Sequence, residues 1–475
     1  MSDLPHILIL GAGPAGLGAA YRLRHLNRAR VTVLERNDRV GGNAASFQLN
    51  GHYVDFGSHR LHPATGPEIM EDIRRMLGSD LRHRTRHGRI RLRGRWVHFP
   101  LKPLDLAMHL DWGFTFGALR DASVRVLKRP PDDAESFGEA LRARLGPTIC
   151  EDFYFPYARK IWGLEPEEMA AEQAQRRVAA NSPIKLARKI LAQVPGFKGP
   201  GAGRFYYPRK GFGQIVEGYA EAATRAGAEL RLGWSATGIS APESASDPWK
   251  ITAEHEGQPR ELTADYVWST IPLTLLARMA HPAPEPRVLE AGKALDYRAM
   301  LLIYLELPVD RFSEYDAHYF PGPDIRITRM SEPRNYSGVS EPAGRTIVCA
   351  ELPCSPDDPE WQATEGELAA IVTRDLEQAG LALSCEPSRV HVRRLRQAYP
   401  IYRRDFAEPF AALDGWAARQ PRLLSFGRQG LFAHDNTHHA LAMAYAAAEC
   451  LGAEGFDDEK WAGYRQEFDK HVVVD

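Results

Sequence analysis

Residues 57–63, GSHRLHP, gather a serine, an arginine and two histidines just after an apolar run and before a proline. Such a set can exchange hydrogen bonds, move protons near neutral pH or ligate a metal. Further upstream, GAGPAG at 11–16 sets Gly11, Gly13 and Gly16 in the dinucleotide spacing, with Pro14 and Ala15 between them. In that spacing the first glycine permits a tight turn and the second lets the backbone approach a pyrophosphate. The third lets the following helix pack closely on the strand, and the helix N-terminus adds N–H donors and positive partial charge. Glu35 stands nineteen residues beyond Gly16, followed by Arg36. A carboxylate there accepts hydrogen bonds from ribose hydroxyls and repels a 2′-phosphate, so NADP is disfavoured and FAD or NAD remains.

These residues need elements to hold them. HILIL (6–10) is a short apolar run ended by glycine, PAGLGAAYRLRHLN has helical spacing, and ARVTVLE is a β-branched run ending in a carboxylate. Strand, glycine turn, helix, strand is how a doubly wound parallel sheet opens. From about 103 to 200, ESFGEALRARLG and EEMAAEQAQRRVAA, broken by KRPPDD and ANSPIK, predict a helical insertion that covers or contacts a substrate site. After the linker PGFKGPGAG, a helix (QIVEGYAEAATRAG) and strands including WKITAE and ADYVWSTIP are expected to return to the first domain. MLLIYLELP and RTIVCAELP read as strands, with one amphipathic helix near 365–379. RLLSFGRQGLFAHDNTHHALAMAYAAAECL reads as strand, loop and Ala-rich helix.

The class expected is α/β: a Rossmann-like cofactor domain on a parallel sheet, a helical insertion and a mixed-sheet substrate domain. The boundaries expected are 1–62, 204–295 and 420–452 for the cofactor domain and 63–102 with 296–419 for the substrate domain. The insertion takes 103–203 and a C-terminal helical tail takes 453–475.

ERNDRVGGNAASF, directly after the second strand, adds Gly41, Gly42 and Asn43. It resembles the extended motif of the FAD enzymes that include amine oxidases, protoporphyrinogen oxidases, phytoene desaturases and UDP-galactopyranose mutases. FGRQG and HDNTHHALAMA resemble that group's C-terminal FAD segment. The resemblance implies FAD as cofactor, with NAD(P)H as a candidate external reductant, and contacts at Gly57, Ser58, His59, Gly427, Arg428, Asn436, Thr437 and His439. It is sharpest towards the UDP-galactopyranose mutase branch, through RIRLRGRWVHFP, FYFPYARKIWGLEPEEM, HYFPGPDIRITR and RQAYPIY. Carried over by position, His59 falls on the histidine of a mobile loop beside the flavin. Trp162, Arg177, Tyr319, Arg329 and Tyr399 fall on the sugar-diphosphate cleft. Arg60 is expected to face solvent, and His62 replaces an aromatic.

Two departures weaken a nucleotide-sugar substrate. The family's second diphosphate arginine is missing from GLFAHDN, and Phe99, Lys102, Ala202 and Ala317 stand where that family presents polar groups to uridine. The leading expectation is hydride exchange between flavin N5 and a polar, sugar-like or anionic substrate. The alternative is a redox-neutral pyranose/furanose mutase working through reduced FAD and a sugar adduct at N5, and the third reading is a flavin-binding protein without turnover.

Composition bounds the partners. Sixty Lys+Arg against 61 Asp+Glu give no net field that would draw nucleic acid. Five cysteines, never spaced CxxC, suggest neither a disulfide framework nor a zinc site and fit a reducing cytoplasm. No stretch is long and apolar enough to span a membrane. A small-molecule substrate is expected, and a homo-oligomer is compatible with the sequence. No metal site is expected, because neither His59 and His62 nor His438 and His439 has a carboxylate at ligand spacing.

Overall fold

The computed structural model describes residues 4–100, 105, 108, 109, 112–127, 134–177 and 203–473. Lys102 and Ala202 lie outside them.

Five parallel strands form the first sheet, in the order Leu423–Ser425, Tyr266–Ser269, His6–Leu10, Arg30–Glu35, Glu229–Leu232. The central strand HILIL is buried on both faces from Ile7 to Leu10, which is why it reads as a continuous apolar run rather than an alternating one. Helices Pro14–His25, Gln214–Arg225 and Thr437–Cys450 pack together on this sheet. Their approach is close: a Cβ on Gly18 would lie 2.9 Å from Leu441 Cδ2 and 3.1 Å from Ala444 Cβ.

The second sheet has seven strands, in the order Arg389–Pro400, Tyr297–Leu307, Thr346–Cys354, Arg329–Ser331, Ala317–Tyr319, Gly88–Leu92, Arg95–Phe99. It is antiparallel except where Ala317–Tyr319 runs parallel to Gly88–Leu92. In Tyr297–Leu307 the two-residue period assigns each face. Leu301, Ile303 and Leu305 join Leu368, Val372 and Leu376 of helix Glu365–Gln378, while Met300, Leu302 and Tyr304 pack with Phe47 and Val54 under the cofactor loops.

Trp249–His255 and Gln258–Ala264 lie outside the first sheet. With Ser235–Ser240 and Ala280–His281 they form a separate four-stranded sheet. Their alternation, Trp249, Ile251 and Ala253 inward and the residues between outward, suits a half-exposed antiparallel ladder rather than a doubly covered parallel sheet.

The described part of the insertion is helical, with Phe137, Leu141, Phe155 and Trp162 in its core. Helix Phe155–Trp162 is tied to the second sheet by Lys160, whose Nζ donates to the carbonyls of Phe320, Gly322 (3.2 Å) and Ile327 (2.8 Å). Burial lowers this amine to about 7. Among the described residues, no helix is long and apolar enough to cross a membrane.

Candidate functional site

A cavity of about 1440 Å³ is lined from both large sheets and from the insertion. That exceeds the roughly 300–1,000 Å³ typical of a site for one small ligand, so it can take a cofactor and a substrate together. At one end lies the glycine turn. Gly11 has φ +98° and Gly41 φ +110°, conformations that an L side chain rarely adopts. A Cβ on Gly16 would fall 1.9 Å from the Gly11 carbonyl oxygen, so the third glycine is fixed by the protein's own packing. Gly13 differs: a Cβ there meets nothing within 4 Å, and one on Gly42 meets only Gly13 Cα, at 3.9 Å. The two glycines thus border a slot that protein atoms leave unfilled, at the N-terminus of helix Pro14–His25. This donor set fits a pyrophosphate.

Glu35 closes that end. Its Oε2 accepts from Ala12 N at 2.9 Å and its Oε1 from Asn37 N at 3.0 Å, which fixes the carboxylate while leaving lone pairs for a ribose. Pro14, Ala15, Arg36, Gly41, Gly42 and Asn43 also line the cavity. Gly427 stands behind the lining, where a Cβ would lie 2.7 Å from Ala15 Cβ.

Gly57, Ser58 and His59 line the middle. The His59 ring stacks on Phe212 with centroids 5.2 Å apart. Its burial, with Arg329 and Arg428 nearby, holds the imidazole down to about 3, so it is neutral at pH 7. Ser58 is engaged by protein on both sides: its hydroxyl meets Tyr336 Oη, and its N–H donates to Glu351 Oε1 at 2.8 Å.

Arg329 lines the same region but is not an isolated cation. Its Nε and one terminal nitrogen donate to Glu351 at 3.0 and 2.7 Å, with Tyr319 beneath the guanidinium. Tyr399 lines the cavity under Arg428, whose guanidinium carbon is 5.1 Å from the ring centroid. Trp162 both packs in the insertion core and borders the cavity. Arg177 ends helix Ala171–Arg177, and its side chain lies outside the description.

Arg60 corrects the expectation of a solvent-facing side chain, being 7% exposed. It donates to Tyr319 Oη at 3.1 Å and Tyr336 Oη at 2.9 Å, pairs with Asp316 at 3.4 Å, and stacks over the Tyr336 ring. A buried guanidinium needs such a cage to offset its lost hydration. Glu351, Asp316 and Tyr336 were not found by sequence reasoning, nor were the cavity residues Arg86, Arg204 and Arg393. The only signal available was a single acidic residue within the apolar run TIVCAELPC, a position that burial makes costly unless it is paired.

At the far end Asn436 and Thr437 line the cavity where helix Thr437–Cys450 begins. His439 is outside the lining: its Nδ1 accepts the Asn436 N–H at 3.2 Å in a capping box. The expectation that no carboxylate stands at ligand spacing from these histidines is also corrected. Buried Asp435 is four residues before His439, and His471 arrives from the C-terminal segment, so three donor atoms lie within 4.8 Å of one another. This set could hold a cation. In the structure His471 Nδ1 lies at hydrogen-bonding distance from the Asp435 carboxylate, 3.2 Å, while His439 Nδ1, 3.6 Å from it, accepts from Asn436 instead. His438 is lowered to about 3 and His439 to about 4, both mainly by burial.

Compared with known proteins, the chain matches the family of flavin containing amine oxidoreductases over residues 14–449. Coproporphyrinogen III oxidase of Staphylococcus aureus is 23% identical over 421 residues, 83% of this chain and 88% of that protein. Protoporphyrinogen oxidase 1, chloroplastic, of Arabidopsis thaliana is 24% identical over 484 residues, 94% and 85% of the respective chains. Among solved structures, reduced UDP-galactopyranose mutase superposes with a TM-score of 0.81 at 21% identity, over 99% of this chain and 100% of that one. Putrescine oxidase bound to putrescine superposes with a TM-score of 0.64 at 16% identity, over 94% and 98%. At such identities these superpositions show a shared fold.

Proposed function

This chain belongs to the flavin containing amine oxidoreductases and is an FAD-dependent oxidoreductase, and on that premise we propose that it takes a hydride from a small molecule bearing an anionic group on a partly apolar body. The supporting observation is the charge of the cavity wall. Ten arginines line it (36, 39, 60, 86, 204, 329, 393, 394, 396 and 428) against four carboxylates, Glu35, Asp38, Glu351 and Asp435. Counting Asp316 beside Arg60 and the two charges of a cofactor pyrophosphate still leaves positive charge in excess. A wall of that sign favours an anion, while Phe99, Phe153 and Ile161 offer apolar surface.

FAD supplies the hydride acceptor, and the chain's residues hold and orient the reactants. The slot at Gly13 and Gly42 takes the pyrophosphate, Glu35 the ribose, and the start of helix Thr437–Cys450 offers partial positive charge to the flavin end. His59, neutral at pH 7 and with its Nδ1 buried, has its other ring nitrogen to offer, as donor or acceptor, to whatever occupies the centre of the cavity. Tyr319, Tyr399 and Trp162 shape the substrate side.

The test is anaerobic mixing of the yellow protein with matched carboxylated, neutral and cationic substrates while the flavin absorbance is followed. Bleaching fastest with the carboxylated member is expected; a cationic amine bleaching it fastest refutes the reading. A protein inert when oxidised, active after dithionite and consuming no electrons replaces oxidation with the redox-neutral mutase chemistry.

A further inference from the structure

We infer that Glu351 is a positioning residue that couples occupation of an anion site at Arg329 to the placement of the loop carrying His59. The inference rests on the anionic-substrate reading above. Glu351 sits within strand Thr346–Cys354, directly opposite Arg329 in the ladder. Its carbonyl oxygen accepts from Thr328 N at 2.9 Å and Thr328 Oγ1 at 3.1 Å, so its main chain is fixed independently of its side chain.

The carboxylate is where two elements meet. Oε1 accepts both the Ser58 N–H, at 2.8 Å, and Arg329 Nε, at 3.0 Å, while Oε2 accepts a terminal Arg329 nitrogen at 2.7 Å. Three donors therefore converge on one group that is 4% exposed. Only an acceptor without protons of its own serves all three: a carboxamide would turn an NH₂ towards a donor. The loop is held close, since a Cβ on Gly57 would lie 3.5 Å from Oε1.

An anion that draws the Arg329 guanidinium towards the cavity leaves Glu351 less neutralised. Its Oε1 then becomes a stronger acceptor for the Ser58 N–H, because charge-assisted hydrogen bonds strengthen as the charge is less shared. Substrate arrival thus tightens the residue next to His59. Nothing is transferred in this step; the bond to Ser58 gains what the bond to Arg329 gives up.

Hydrogen exchange at the Ser58 amide reads this directly in the full FAD-bound chain, with inorganic pyrophosphate as the anion probe. In the wild type, pyrophosphate should slow exchange about threefold or more. In Glu351→Gln, Ser58 should exchange about tenfold faster with or without the probe, as expected for a lost charge-assisted hydrogen bond. Arg329→Lys, which keeps a cation but loses the bidentate fork, should retain basal protection and lose the response. With a turned-over substrate, Glu351→Gln should lower kcat without raising KM, whereas Arg329→Lys should raise KM. Unaltered Ser58 exchange in Glu351→Gln overturns the inference. Pyrophosphate that perturbs the flavin spectrum without altering Ser58 overturns the coupling alone; pyrophosphate that does not bind removes the anion site and the coupling with it.

Discussion

Gly13 and Gly16 belong to one motif but are glycine for different reasons, and a pair of alanine substitutions separates them. At Gly13 the backbone is extended, with φ −80°, and a methyl group meets no protein atom within 4 Å. Alanine stiffens the unfolded chain, a gain of about 0.4–1 kcal/mol, and is a poorer helix N-cap than glycine by a similar amount. The apoprotein should therefore stay within about 1 kcal/mol of wild type. The methyl would occupy the slot in which a pyrophosphate meets the main chain. Losing one or two charge-assisted contacts at about 1.5–3 kcal/mol each weakens FAD by about one to four powers of ten. At Gly16 the same methyl falls 1.9 Å from the Gly11 carbonyl oxygen, against roughly 3.4 Å for an ordinary contact. Helix and strand must part by more than an ångström, at about 3 kcal/mol or more of fold stability. Urea unfolding of the apoproteins, with FAD titration by fluorescence, gives both quantities. Gly13→Ala apoprotein unfolding as readily as Gly16→Ala, or binding FAD like wild type, would refute the assignment of the slot.

Other consequences follow from the same contacts. His59→Ala should keep FAD bound, judged by the visible spectrum, and lower turnover by about ten- to a hundredfold through lost positioning; unimpaired turnover would make the loop structural only. Arg60→Met leaves Asp316 buried and unpaired, so chemical denaturation should show a loss of about 3–5 kcal/mol, and the added Asp316→Asn should recover part of it. Stability should also fall with acid. His59, His318 and His438 are held to about 3 and His439 to about 4, so their contribution is complete above about 6.5 and is lost as pH falls towards 3–4. Each titrating histidine contributes up to about 1.4 kcal/mol per pH unit. Asp55, raised by burial to about 6, runs the other way: its contribution is present below its ordinary 3.8 and lost as pH rises through 6. His6, His52 and His391 are lowered as well, and Glu217, Glu332 and Asp375 raised, so seven histidines against four carboxyls predict weaker folding at pH 5 than at pH 7.5 in urea melts; equal stability would refute neutral histidines.

What could be read from sequence was what is local. The turn GAGPAG, its flanking strand and helix, and Glu35 at the end of the next strand carry their geometry within thirty residues, and Gly42, which borders the slot with Gly13, follows soon after. The substrate side is assembled over long distances. Arg60 reads as one more surface charge because its partners Asp316 and Tyr336 lie 256 and 276 residues away. Glu351 gives no pattern of its own, since its meaning depends on Ser58, 293 residues earlier. His471 is similarly separated from Asp435 by two helices and a short hairpin. WKITAE reads as a strand but not as a member of any particular sheet, because a strand's period identifies the face it buries and not the sheet it joins.

The parallel sheet has a consequence for the protein's synthesis. Its central strand is made first, yet the edge strand Leu423–Ser425 and the helix Thr437–Cys450 that packs on Pro14–His25 are made last. At about 5–20 residues per second, ribosomes need roughly 20–80 s between the two. During that interval HILIL can gain its neighbours Arg30–Glu35 and Tyr266–Ser269, but Pro14–His25 lacks the face that Thr437–Cys450 covers. A nascent chain stalled before residue 423 should therefore need chaperone cover for its N-terminal segment and gain FAD only after release, so the cofactor is acquired as a late, whole-chain event.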